Sequence, residues 1–188
     1  MKRIPTHKLL MDNIAEIENR PWIINPLLSK DSWTAQDIVA AVEIPVETKL
    51  AMALTPKLLE KKAINRFCYE MGNKSLALVS CRHIPCILVL QLKQAAPDSQ
   101  HYAAAKAQFL ALPVQDGVWH CVRESVLDNI KKSAYESACL AASAYAKGFQ
   151  HDAVRWEHAW KEAYAQERAW QLECLKSIFE ESCVKQAY

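Results

Sequence analysis

From Val118 to Cys183 the chain carries two consecutive helical patterns hinged at Gly148, and helices so long and one-sided need other helices to lie against. In the first, Val122, Val126, Ile130, Ala134, Ala138, Ala141 and Tyr145 recur at steps of three or four, which lines one stripe of a 3.6-residue helix. Trp156, Trp160, Ala163, Trp170, Cys174, Ile178 and Phe179 do the same in the second. Lysines and glutamates fill the opposite faces, as on a surface helix packed on a core. Only three glycines occur, Gly72, Gly117 and Gly148, too few for the tight turns that an all-β fold requires. The pattern predicts a single all-α domain over residues 1–188, a multi-helix bundle of about seven or eight helices with two long C-terminal helices. Residues 1–33 read as a peripheral N-terminal helix and linker, and residues 34–188 as the helical core.

Capping signals place the shorter elements. A helix is expected over 7–19, with Thr6 as N-cap and Leu10, Ile14 and Ile17 inward, ended by Arg20-Pro21. The following linker holds Pro26 and two tryptophans expected at the surface, Trp22 and Trp33. Thr34 followed three residues on by Asp37 is an N-terminal box for a helix to about Val42. Pro45 and Thr55-Pro56 open two more, the second running to Met71 with Gly72-Asn73 as its C-cap. Residues 75–95 are apolar nearly all round, which suits a central helix with a kink or a junction at Pro85. A buried strand over 84–92 is the competing reading. Pro97-Asp98-Ser99 opens a helix with Tyr102, Ala105, Phe109 and Leu110 inward, and Asp152 or His151 caps the last.

The 23 basic and 21 acidic residues leave a formal charge of +2, with no segment far from balance, so there is no electrostatic footprint for a nucleic-acid backbone. No apolar run reaches the length that crosses a bilayer. Seven cysteines, an odd set without a CxxC pair, sit mostly among apolar neighbours where a thiol behaves as a small hydrophobe; a reducing cytoplasm is expected.

Catalytic signatures are scarce. There is no Glu-x-x-His pair for a di-iron bundle, no H-E-x-x-H, no nucleophile elbow and no phosphate-cradling glycine loop. His151 and His158 lie seven apart, some 10 Å by helical rise, and cannot share one ion. Cys81, His83 and Cys86, with His120-Cys121, are the one grouping that could pair a thiolate with a base, although Ile87, Leu88 and Val89 beside Cys86 favour a space-filling thiol. No catalytic residue, metal or cofactor is assigned. The tryptophans of the last helix either pack in the core or reach a binding surface, where tryptophan and arginine dominate interface energetics.

One resemblance narrows the function. Glu43-Ile44-Pro45, Lys49-Leu50, Leu59 and Phe67-Cys68, then Arg82-His83, the alanine-spaced run at 133–142 and Glu167-Arg168-Ala169-Trp170-Gln171 together resemble the alanine-rich immunity proteins of bacteria and phages, over roughly residues 42–180. Ala51-Met52 stands where that family tends to have tryptophan. The resemblance implies an all-α fold and a non-catalytic, immunity-like role, neutralising a partner toxin or effector by occlusion. A phage or mobile-element inhibitor of a host defence protein, and a small helical metal- or thiol-dependent enzyme, are the alternatives. An exposed acidic and aromatic face of the last helix, Trp156, Glu157, Glu162, Glu167 and Arg168, is the expected contact with a protein partner.

Overall fold

The computed structural model describes residues 2–78, 84–113 and 116–184, with side chains to residue 181 at the C-terminal end. Among them are eleven α-helices: α1 (Thr6–Asp12), α2 (Ile14–Asn19), α3 (Ile24–Leu28), α4 (Ala35–Ala40), α5 (Val46–Ala53), α6 (Lys61–Leu78), α7 (Ile84–Ala95), α8 (Gln100–Leu110), α9 (Gly117–Val126), α10 (Ile130–Ala146) and α11 (Ala153–Val184). The sheet among the described residues is one short antiparallel pair, β1 (Ile4–Pro5) with β2 (Ser32–Trp33). The protein is therefore all-α with a long C-terminal helix, as the periodicity predicts. Its finer division arises at breaks that periodicity does not register. The chain forms two compact units, residues Met1–Ile64 with Gln171–Tyr188, and residues Asn65–Trp170.

In the first unit the helix expected over 7–19 breaks at Asn13, whose amide side chain donates to the Leu9 carbonyl at 2.9 Å. The break changes the inward face. Leu9 and Ile17 are buried, while Ile14 is 60% exposed. Thr6 does not cap; its hydroxyl donates to the Lys30 carbonyl and its amide to that of Asp31, which ties α1 to the chain entering β2. Trp22 is exposed, but Trp33 is 2% exposed, because its indole N–H donates to the Leu27 carbonyl at 2.9 Å. The expected linker is helical in part, with a 3₁₀ turn at Pro21–Ile23 running into α3.

The box that opens α4 forms as its spacing predicts. Thr34 Oγ1 accepts the Asp37 amide at 3.0 Å, and the Asp37 carboxylate accepts the Thr34 amide at 2.9 Å. Burial alone would raise the Asp37 carboxyl, but hydrogen bonds from Lys30 and Thr34 outweigh it and hold the group at about 2. A carboxyl depressed in the folded state contributes stability above its unfolded value, and that contribution is lost as pH falls from about 4 toward 2. Thr34→Ala should cost about 1 kcal/mol in urea unfolding at neutral pH. Asp37→Asn should remove part of the acid-side slope of stability against pH between about 4 and 2. Pro45 sits at the N-cap of α5, and the stretch after Thr55-Pro56 is a turn, so α6 begins only at Lys61. Leu58 and Leu59 are buried all the same.

In the second unit, α7 packs against α8 and α9, and α9 against α10. Val89 and Leu90 of α7, Tyr102 and Phe109 of α8, and Trp119, Val122 and Val126 of α9 form the core. Residues 84–92 are thus helical, with Pro85 in the first turn of α7, where a missing N–H breaks no internal bond. Ser99 and Asp116 cap α8 and α9, their side chains accepting the Tyr102 and Trp119 amides at 3.1 and 2.8 Å. Leu110, expected inward, is 37% exposed. Gly72 does not end its helix; α6 continues through it to Leu78, and the residue lies against Leu90 and Ser125.

The first long C-terminal pattern is two helices, not one. Asp128 adopts φ 57°, the left-handed conformation that glycine normally supplies after a helix. The Asn129 amide donates to the Glu124 carbonyl at 3.0 Å and the Asp128 amide to that of Ser125 at 3.3 Å, so the end of α9 is a Schellman motif with aspartate in the glycine position. Lys93 holds it there. Its side chain is fully buried, and its ammonium donates to the Ser125 carbonyl at 2.7 Å and to the Asp128 carboxylate. Burial, aided by the Asp128 charge, pushes the Tyr102 phenol up to about 12, and its hydroxyl donates to the Val126 carbonyl at 3.2 Å.

Candidate functional site

Around the turn between α10 and α11 lie the rings of Tyr145, Phe149, Trp156, Trp160 and Tyr164. A 3₁₀ turn at Lys147–Phe149 ends α10, and Asp152 opens α11, its carboxylate accepting the Val154 and Arg155 amides at 3.1 Å each. Gly148 has an ordinary φ and open space where a side chain would begin. After the Asp128 break the inward stripe of α10 is Ala134, Ala138, Ala142 and Ala146, all fully buried. Ala141 and Tyr145, placed inward by the sequence pattern, are displaced from it, and Tyr145 is 58% exposed. Phe149 and Val154 are exposed as well, with the Tyr145 and Phe149 ring centroids 6.4 Å apart.

Along α11, Trp156, Trp160 and Tyr164 follow one another at four-residue steps and stack. Ring centroids are 6.4 Å apart for the first pair and 5.1 Å for the second, with planes inclined by 27° and 13°. The Trp160 indole donates to Ser143 Oγ of α10 at 3.2 Å, and the Arg168 guanidinium lies 6.0 Å from the Tyr164 ring. Stacking and this bond fix the arrangement of the rings. Trp156, at the open end of the ladder, is 37% exposed.

Charges around the ladder satisfy one another. Arg155 pairs with Asp152 at 3.3 Å and Lys161 with Glu157 at 2.5 Å. The hydrogen bond from Lys161 holds the exposed Glu157 carboxyl below its usual range. Glu162 accepts from the Gln166 side chain at 3.3 Å.

The structure divides the five residues expected to form one contact face. Trp156, Glu157 and Glu162 are exposed, but at about 100° per residue Glu162 falls on the far side of α11 from Trp156. Glu167 and Arg168 are 5% and 7% exposed and are not surface residues at all. Glu167 Oε2 pairs with Lys74 Nζ of α6 at 2.5 Å, and that ammonium sits 3.5 Å over the Trp170 ring. The second carboxylate oxygen, Glu167 Oε1, is buried without a hydrogen-bond partner. These residues tie α11 to α6 inside the second unit. The sequence carries the signal only in part, since the lysine that buries the glutamate lies 93 positions away.

Of the thiol and imidazole candidates, Cys81 and His83 lie outside the described residues. Cys86 is 1% exposed within the α7–α9 core, where its apolar neighbours place it. His120 is exposed and meets Trp119 edge-on, with centroids 5.0 Å apart. Burial pushes the neighbouring Cys121 thiol up to about 12 and raises that of Cys139 as well, which disfavours the thiolate at both. His151 and His158 are exposed. Among the described residues no three His, Cys, Asp or Glu side chains gather as a metal site, and no helix is long and apolar enough to cross a membrane.

In comparisons with known proteins, no family model, no curated protein and no solved structure matches the chain.

Proposed function

We propose that the protein acts by binding another protein through the α10–α11 turn, as an immunity-like factor that neutralises a toxin or effector in the cytoplasm by occluding it. The observation that carries this reading is the stacked ladder of Trp156, Trp160 and Tyr164, anchored on Ser143, with Trp156 exposed at its open end. Tryptophan and tyrosine in a fixed arrangement bury a large apolar area with little side-chain entropy left to lose, which is the chemistry of an interface hot spot. The paired charges beside the ladder carry no net sign, so the partner surface that fits is uncharged and apolar at its centre, and salt should change the affinity little.

The test begins with capture of a partner on the immobilised chain from its native cells, followed by titration of that purified partner. Trp156→Ala should weaken binding by about 30-fold or more, the effect of losing a hot-spot aromatic, with the melting temperature unchanged. Val42→Ala, at a position 90% exposed in the first unit, should alter neither. Co-expression reports on neutralisation: the wild-type chain should suppress the partner's toxicity, and the Trp156→Ala chain should not. Equal affinity for wild type and Trp156→Ala would remove the ladder from the contact. A saturated partner that keeps its full activity would remove the neutralising role.

A further inference from the structure

We draw no further inference here: the strongest candidate, the groove of about 290 Å³ between α6 and α7 lined by Tyr69, Leu76, Ile87 and Leu90 with Asn73 and Gln91, is an unpartnered face, and nothing in the structure shows what covers it.

Discussion

Asp128→Gly is expected to destabilise the protein by about 2–3 kcal/mol, although the backbone by itself predicts the opposite sign. Glycine would relieve the left-handed strain at φ 57°, a gain of about 1–2 kcal/mol. Against that stands Lys93, whose side chain is 1% exposed and whose carboxylate partner the substitution deletes. Stripping one member from a buried pair costs about 3–5 kcal/mol, because the remaining charge has no water to turn to.

Lys93→Met should be milder, since the stranded Asp128 is 26% exposed and can be hydrated. The double variant Lys93→Met with Asp128→Gly should return to within about 1 kcal/mol of the parent, as when both members of a buried pair are replaced together. Urea unfolding of the four proteins completes the cycle. A single Asp128→Gly variant more stable than the parent at pH 7 would show that the ion pair contributes less than the backbone strain that glycine relieves.

Gly72→Val should cost about 2–3 kcal/mol through overpacking. A Cβ at this position would stand 2.8 Å from Leu90 Cδ2, 3.0 Å from Leu90 Cδ1 and 3.2 Å from Ser125 Oγ. Leu90 borders the groove between α6 and α7 and can give on that side, whereas Ser125 is held by its hydrogen bonds. Leu90 is 2% exposed, and the Ser125 hydroxyl is engaged with Ser133 at 2.8 Å and with the Cys121 carbonyl at 3.0 Å. Alanine is a closer contest, because its better helix propensity returns about 1 kcal/mol while one flexible methyl end yields. Valine adds two further carbons and β-branching, and overpacking prevails. Leu90→Ala in the same chain empties the opposing space and should recover part of the loss, so the two substitutions should be non-additive by about 1 kcal/mol in thermal unfolding. Full tolerance of Gly72→Val would mean that α6 and α7 separate freely at this point.

Both predictions turn on positions that the sequence pattern misreads, and for one reason. Val122, Val126, Ile130 and Ala134 keep a perfect four-residue stride across Asp128, so the break there leaves no trace in the periodicity; Lys93, from another helix, holds it. Gly72-Asn73 has the composition of a helix end, yet its glycine is required by the closeness of a neighbouring helix. Glu167 looks like a surface residue until a lysine 93 positions away receives it, while Trp33 and Arg168 meet partners six and four residues back, the Leu27 carbonyl and the Tyr164 ring. Of the expected contact face, Trp156 and Glu157 remain at the surface with the ladder, and Tyr145 is exposed because the inward stripe of α10 keeps its four-residue stride through Ala142 and Ala146 instead of stepping to Ala141.

The local sequence by itself determined that the chain is helical and where several helices begin. Glycine scarcity, three-to-four spacing and the caps at Thr34, Ser99 and Asp152 all act within a few residues, whereas Thr6 is drawn away from capping by the Lys30 and Asp31 carbonyls. Tertiary structure alone decided which charges are interior, which glycine is a contact and which aromatic rings stay exposed. Those outcomes depend on desolvation and on atoms contributed by distant segments, and no local pattern encodes the partner that a buried charge will meet.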